Sequence, residues 1–258
     1  MKKTKTNKKV KTAKKVLLFD IETAPNIGYT WGKYEQNVIK FVEQHYMLCF
    51  AYKWLGEKTT HAVGLPDFKL YSKNKKDDTE VARKLWELFD EADVIIGHNG
   101  DAFDVKKSNT FFLKAGFTPP SPYKTVDTLK QARKYFKCNS NRLNDIGEYL
   151  NLGQKVETGG FQLWEDCLAG DSKAWKLMIK YNKQDVVLLE QVYLKLLPWM
   201  ATHPDIGERE TCKNCNSDKL QKRGWLVNRK SKKQRYHCQD CGAWSSGNAI
   251  RFKNGEVK

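Results

Sequence analysis

No stretch of this sequence is apolar for long enough to cross a membrane or to serve as a secretory signal. After the basic N-terminus, the apolar run at 16–19 is cut by Asp20. A secretory segment needs about 7–15 apolar residues and a spanning helix about 20. Internal repeats are absent, and so are low-complexity segments beyond a Lys-rich beginning. The seven cysteines are an odd number, and four of them form two C-x-x-C pairs, a pattern of metal rather than disulfide chemistry. These absences point to a soluble, cytoplasmic protein with no membrane partner. What is present excludes a disordered chain: 8 Trp, 11 Tyr and 12 Phe in 258 residues are enough for the core of one or two domains.

Acidic residues are missing from 1–15, which hold eight Lys. Residues 206–258 carry thirteen Lys and Arg against five acids, and the 190 residues between carry 25 of each sign. The net charge of +16 therefore belongs to two basic ends around a neutral body. This divides the chain into a basic arm at 1–15, a body at 16–205 and a C-terminal module at 206–258. A terminal basic run is either a solvated arm or a handle for a polyanion.

The body alternates strand-like and helix-like segments, so an α/β fold is expected. Strands are predicted at 16–22, 47–55, 59–65 and 93–97. Asp78 is placed to cap a helix in which Val81, Leu85, Leu88 and Phe89 share a face. Further helices are expected around 111–113, from a Ser140 cap to about 153, and from 173 to 197, where Pro198 stops the last. The Gly159-Gly160 pair marks 155–161 as a loop.

Four carboxylates stand out against this pattern. Side chains alternate along a strand, so Asp20 and Glu22 share one face of an otherwise apolar segment. They repel each other unless a cation intervenes or the strand end is solvated. Leu177, Tyr181, Asp185, Leu189, Val192 and Leu196 form one stripe of the long helix, which puts Asp185 within its apolar face. A buried carboxylate needs a cation or donors there; a core tyrosine and a salt-bridged aspartate are the bland alternative. The third element is HNGDAFD (98–104), directly after a buried strand, where α/β folds place ligands. Asp101 and Asp104 could instead be helix caps, and His98 a hydrogen-bonded structural residue.

FDIET with Asp20 and Glu22, the Asn-x-x-x-Phe-Asp element from Asn99 to Asp104, and Tyr181-x-x-x-Asp185 resemble, in order and spacing, the three motifs of DEDDy 3′–5′ exonucleases. That family includes the proofreading domains of family B DNA polymerases and stand-alone, often phage-encoded, nucleases. The resemblance covers roughly 16–200. It implies a ribonuclease H-like fold, a mixed five-stranded sheet flanked by helices. It also implies two Mg²⁺ or Mn²⁺ ions, with Asp20 bridging them, Glu22 and Asp185 holding one and Asp104 the other. Tyr181 would orient the attacking water. Oxygen donors suit these hard ions, and two such ions can activate water and stabilise the leaving oxygen of a phosphodiester. Asp127 reads as the cap of the following helix, and Lys155 as a phosphate contact or a solvated side chain.

Cys212-x-x-Cys215 and Cys238-x-x-Cys241, with 22 residues between the pairs, read as a Cys₄ zinc ribbon holding one structural Zn²⁺. His237 is an imperfect alternative ligand, while Cys49, Cys138 and Cys167 have no paired spacing. Residues 216–237 hold eight Lys and Arg and one acid, with Trp225 and Tyr236 interleaved. Lys222, Arg223, Trp225, Arg229, Lys230, Arg235 and Tyr236, with Asn99 and Lys155 in the body, are the candidate nucleic-acid contacts. The expected partner is DNA at single-stranded or 3′ ends, or RNA. Two rivals remain at this point: a junction-resolving endonuclease on the same fold, and a non-catalytic nucleic-acid-binding protein.

Overall fold

The computed structural model describes residues 14–34, 37–153 and 157–252. Nearly all of the Lys-rich arm and Lys155 lie outside the described residues. The chain forms two compact units, one of Lys15–Leu196 and one built on Leu197–Lys258.

The first unit is built on β1 (Val16–Thr23), β4 (Met47–Trp54), β5 (His61–Gly64), β6 (Val94–Gly97) and β7 (Lys124–Asp127), with a separate hairpin of β2 (Ile27–Tyr29) and β3 (Lys40–Glu43). Its helices are α1 (Thr79–Glu91), α2 (Asp104–Lys114), α3 (Thr128–Tyr135), α4 (Leu143–Tyr149), α5 (Gln162–Ala169) and α6 (Ser172–Leu196). The sheet order is β5-β4-β1-β6-β7. β4 pairs antiparallel with β1 and β5, while β6 runs parallel to β1 and β7. This is the mixed five-stranded ribonuclease H-like sheet with flanking helices.

Alternation along β1 assigns its two faces. Phe19 packs edge-on to Phe89 of α1 with ring centroids 5.0 Å apart, while the next residue, Asp20, faces α6 through Asn182. The central helix α6 buries a broad arc that includes Met178, Asn182, Asp185, Leu189, Val192 and Leu196. Leu177 and Tyr181, placed on its buried stripe by sequence, are only half-buried at its margin. Helix α4 approaches α6 closely at Gly147, where a Cβ would meet Leu188 Cδ1 at 2.6 Å.

Several local expectations are corrected. Asp78 stands at the start of α1 without capping it; its carboxylate accepts the Met47 N–H and pairs with Lys114. The Ser140 hydroxyl accepts the Arg142 N–H, but α4 begins only at Leu143 and ends at Tyr149. Asp104 is the first residue of α2, not its cap. Asp127 does cap α3, accepting the N–H groups of Leu129 and Lys130. The β2–β3 hairpin, β7 and α5 had no clear sequence signal. The hairpin leaves Tyr29, Trp31, Tyr34 and Phe41 exposed. Among the described residues no helix is long and apolar enough to cross a membrane.

The second unit contains β8 (Leu220–Val227), β9 (Ser231–Cys238), β10 (Trp244–Ser246) and β11 (Ile250–Arg251). β9 pairs antiparallel with the other three.

Candidate active site and metal centres

β6 pairs with β1 only as far as Leu18↔Ile96, so the second half of β1 runs on past its parallel neighbour. There β6 ends at Gly97 and the chain reverses tightly: a Cβ on Gly97 would lie 3.1 Å from the Gly100 Cα, and Asn99 adopts a left-handed φ of 64°. The gap opens at the carboxyl ends of the parallel strands, and Asp20 and Glu22 project on one side of it. Across the sheet, β4 sets the small side chains of Ala51 and Cys49 opposite them.

Asp20 and Glu22 from β1 meet Asp185 from α6, with one donor oxygen of each within 4.8 Å of the others. Such a set suits a hard divalent ion and is repulsive without one. Tyr181, one turn before Asp185, shares a side-chain hydrogen bond with it. Burial, followed by the charges of Asp185, Glu22 and Asp20, pushes its phenol far above the ordinary value. The hydroxyl is thereby held in its protonated form, donating toward Asp185.

Asp104 comes to the same region from the first turn of α2. It is 4% exposed and does not belong to the three-carboxylate cluster. Its carboxylate accepts the Ile21 N–H, between Asp20 and Glu22 along β1, and its own N–H. Backbone donors hold it beside, rather than among, three like charges.

Burial outweighs those donors and, with the charge of Asp127, pushes the Asp104 carboxyl up to about 7. The unfolded value lies near ~3.9. The contribution to stability is thus fully present below about pH 4 and is lost as pH rises through about 7. In magnesium-free buffer, Asp104→Asn should remove this slope and raise Tm by several degrees at pH 8, as read by thermal melts across pH. Melts parallel to the parent at every pH would refute the buried-carboxylate assignment.

A cavity of about 440 Å³ opens on this cluster, lined by Asp20, His98, Arg142, Leu143, Asn144, Asp145 and Asp185. Both His98 ring nitrogens are engaged by the fold: Nδ1 meets the Thr128 hydroxyl at 2.9 Å and Nε2 the Asn141 carbonyl at 2.9 Å. His98 is therefore a wall of the cavity, in line with its structural reading. Asp101 pairs with Lys130 at 2.7 Å, and the Asn99 N–H donates to Asp127 at 3.0 Å. Sequence reasoning missed Arg142, Asn144, Asn182 and Trp164, whose ring packs on Tyr181 at 6.2 Å. Asn182 had a legible signal: Met178, Asn182, Asp185 and Leu189 follow spacings of 4, 3 and 4 on the buried face.

In the second unit, one sulfur from each of Cys212, Cys215, Cys238 and Cys241 falls within 4.8 Å of the others. The Cys212–Cys241 and Cys215–Cys238 sulfurs are 3.7 and 3.6 Å apart. A disulfide would need ~2.05 Å. A tetrahedron with Zn–S of ~2.3 Å has edges of about 3.8 Å, so these residues fit a structural zinc ion. His237 is turned to other work, packing on the Trp244 ring at 4.8 Å.

The ribbon's aromatic and basic residues divide between two faces. Lys222 lies opposite Tyr236 and Trp225 opposite Gln234, with a bulge between, so Lys222, Trp225, Tyr236 and Lys232 share one face. The Lys232 ammonium lies 5.0 Å from the Trp225 ring centre. Trp244 lies opposite His237, on the other face, with the Arg235 guanidinium 5.9 Å from its ring. Arg223 occupies the bulge and bonds Gln221, and Arg229 and Lys230 are exposed in the turn before β9.

A family model described as the RNase_H superfamily (RNase_H_2) matches residues 44–197, more than half of the chain. The match includes Asp104, Tyr181 and Asp185 and begins after β1. No curated protein matches the sequence.

Proposed function

The chain belongs to the RNase H superfamily, and from that premise we propose that it is a metal-dependent 3′–5′ exonuclease of the DEDDy type acting on DNA ends. The observation that supports this reading most is the meeting of Asp20, Glu22 and Asp185 within 4.8 Å, with the Tyr181 hydroxyl bonded to Asp185. Two divalent cations bound there would activate a water and stabilise the leaving oxygen of a phosphodiester. Asp20, Glu22 and Asp185 hold them, and Asp104 completes the set from its place beside Ile21. Tyr181, a fixed donor next to Asp185, orients the attacking water. Arg142, on the wall of the same cavity, offers a guanidinium to the substrate phosphate.

The catalytic body is neutral and its centre is acidic, so attraction of a polyanion falls to the basic ends. The ribbon supplies cations for phosphates and exposed tryptophans for unpaired bases, and the Lys-rich arm adds charge. Ring stacking favours single-stranded DNA.

The test is cleavage of 5′-labelled single-stranded DNA with Mg²⁺ or Mn²⁺. A ladder shortening progressively from the 3′ end is expected, with no cut in a circular substrate. Cleavage of the circle would overturn the exonuclease reading in favour of an endonuclease.

A further inference from the structure

Asn182 lies in α6 between Tyr181 and Asp185 with no solvent exposure. A buried amide must be fully partnered or it destabilises the fold by about 1–3 kcal/mol. Its Nδ2 donates to Asp20 twice, to the side-chain Oδ2 at 2.7 Å and to the main-chain carbonyl at 3.3 Å. Its Oδ1 accepts from the Cys49 thiol at 3.8 Å.

Chemistry fixes which amide atom faces which neighbour. Cys49 is fully buried, and its thiol is a weak donor. A thiol held as a donor must face the amide oxygen. The NH₂ group is then turned toward Asp20, where an acceptor-only carboxylate requires it.

We propose that Asn182 is a positioning residue: it clamps Asp20 at both its side chain and its main chain, so that the carboxylate is aimed at the cation site before any ion binds. This rests on the metal-dependent nuclease reading of that cluster. The residue type follows from the task. A neutral amide fixes the rotamer without spending the charge of Asp20, whereas a lysine or arginine in its place would compete with the cation. Partners that orient a metal-ligating carboxylate in this way typically contribute about 10–100-fold in metal affinity or activity.

The experiment measures Mn²⁺ affinity of the full, zinc-loaded chain by electron paramagnetic resonance, beside steady-state kinetics. Asn182→Ala removes the donor, and Asn182→Leu removes it while keeping its volume in an apolar face, so at least the second variant keeps its fold. Both should bind Mn²⁺ about 10–100-fold more weakly. Their kcat should recover as Mn²⁺ is raised, with KM for DNA within about twofold of the parent. Parental Mn²⁺ affinity in Asn182→Leu, or a loss confined to KM for DNA, overturns the proposal. Asp20→Ala in the same assay separates the two levels. If it loses Mn²⁺ while Asn182→Leu does not, only the positioning role falls. If it also binds like the parent, the metal-site reading falls with it.

Discussion

Asp185→Asn should lower the nuclease rate by about a thousandfold or more while making the metal-free protein more stable. The two effects have one cause. Donor oxygens of Asp20, Glu22 and Asp185 lie within 4.8 Å of one another. Two like charges ~4 Å apart repel by about 4 kcal/mol at the effective dielectric of a partly buried site. Asparagine keeps the shape, removes two of these repulsions and frees the fold from burying an ionised group on α6. Tm in magnesium-free buffer should therefore rise. The same change takes an anionic ligand from a site whose cations, when bound, would supply several kcal/mol of transition-state stabilisation, and each ~1.4 kcal/mol is a factor of ten in rate. Added Mg²⁺ should raise the Tm of the parent and leave the variant nearly unmoved, because ligands stabilise only the state that binds them. Single-turnover rates and thermal melts on the same preparations decide the matter. A variant with parental rate would remove Asp185 from the catalytic set. A variant that is slow but less stable would point to a structural role in α6.

That opposition between function and stability is why part of the site was legible in the sequence. Asp185 breaks an apolar helical stripe, and Asp20 and Glu22 break an apolar strand. Such violations cost stability unless a ligand compensates, and they show in one dimension through periods of 3.6 and 2. Asn182 breaks the same helix, yet it went unread because the stripe was drawn through Leu177 and Tyr181, the margin of an arc whose centre runs through Met178 and Asn182. The tie from Asp104 to the Ile21 N–H joins residues about eighty positions apart, a pairing that no local pattern encodes. Arg142 lines the cavity from just before α4, a helix that meets Leu188 of α6 closely at Gly147, and that meeting joins residues about forty positions apart.

The fold shows the same division. β1, β4, β6 and α6 are long or strongly patterned and could be placed from sequence to within about two residues. β7, the four residues Lys124–Asp127, carries two exposed positions and too short a run to alternate. The β2–β3 hairpin exposes residues of both strands, so neither strand has an apolar face to read. α5 is eight residues long with two fully buried positions. Elements that bury little apolar surface leave little trace in hydropathy.

Loss of zinc should unfold the ribbon and leave the catalytic unit standing. The core around the cysteine tetrad is only Cys212, Cys238 and Ala243, with Cys215, Leu220 and Cys241 packed against it. β8 is exposed along nearly its whole length. So small an apolar core cannot offset the ordering of this segment, whereas a structural zinc contributes about 10–16 kcal/mol to the folding of comparable modules. Cys238→Ser, which removes one thiolate of the tetrahedron, should collapse the amide dispersion of the ribbon in a heteronuclear NMR spectrum. Resonances from the first unit, where Asp20, Glu22, Asp104 and Asp185 all reside, should persist. The functional consequence follows from where the charge sits. With the ribbon unfolded, Lys222, Trp225, Lys232 and Tyr236 no longer share a face, so DNA affinity should fall. The dependence of log K on log salt should flatten by about 0.7 for each phosphate that the ribbon no longer neutralises. The rate at saturating DNA should change little, and the defect should appear in KM. An unchanged salt slope with an unfolded ribbon would assign this module to a protein partner and leave substrate capture to the Lys-rich arm. A ribbon that keeps its dispersion without zinc would mean that its fold draws on interactions beyond the cysteine tetrad.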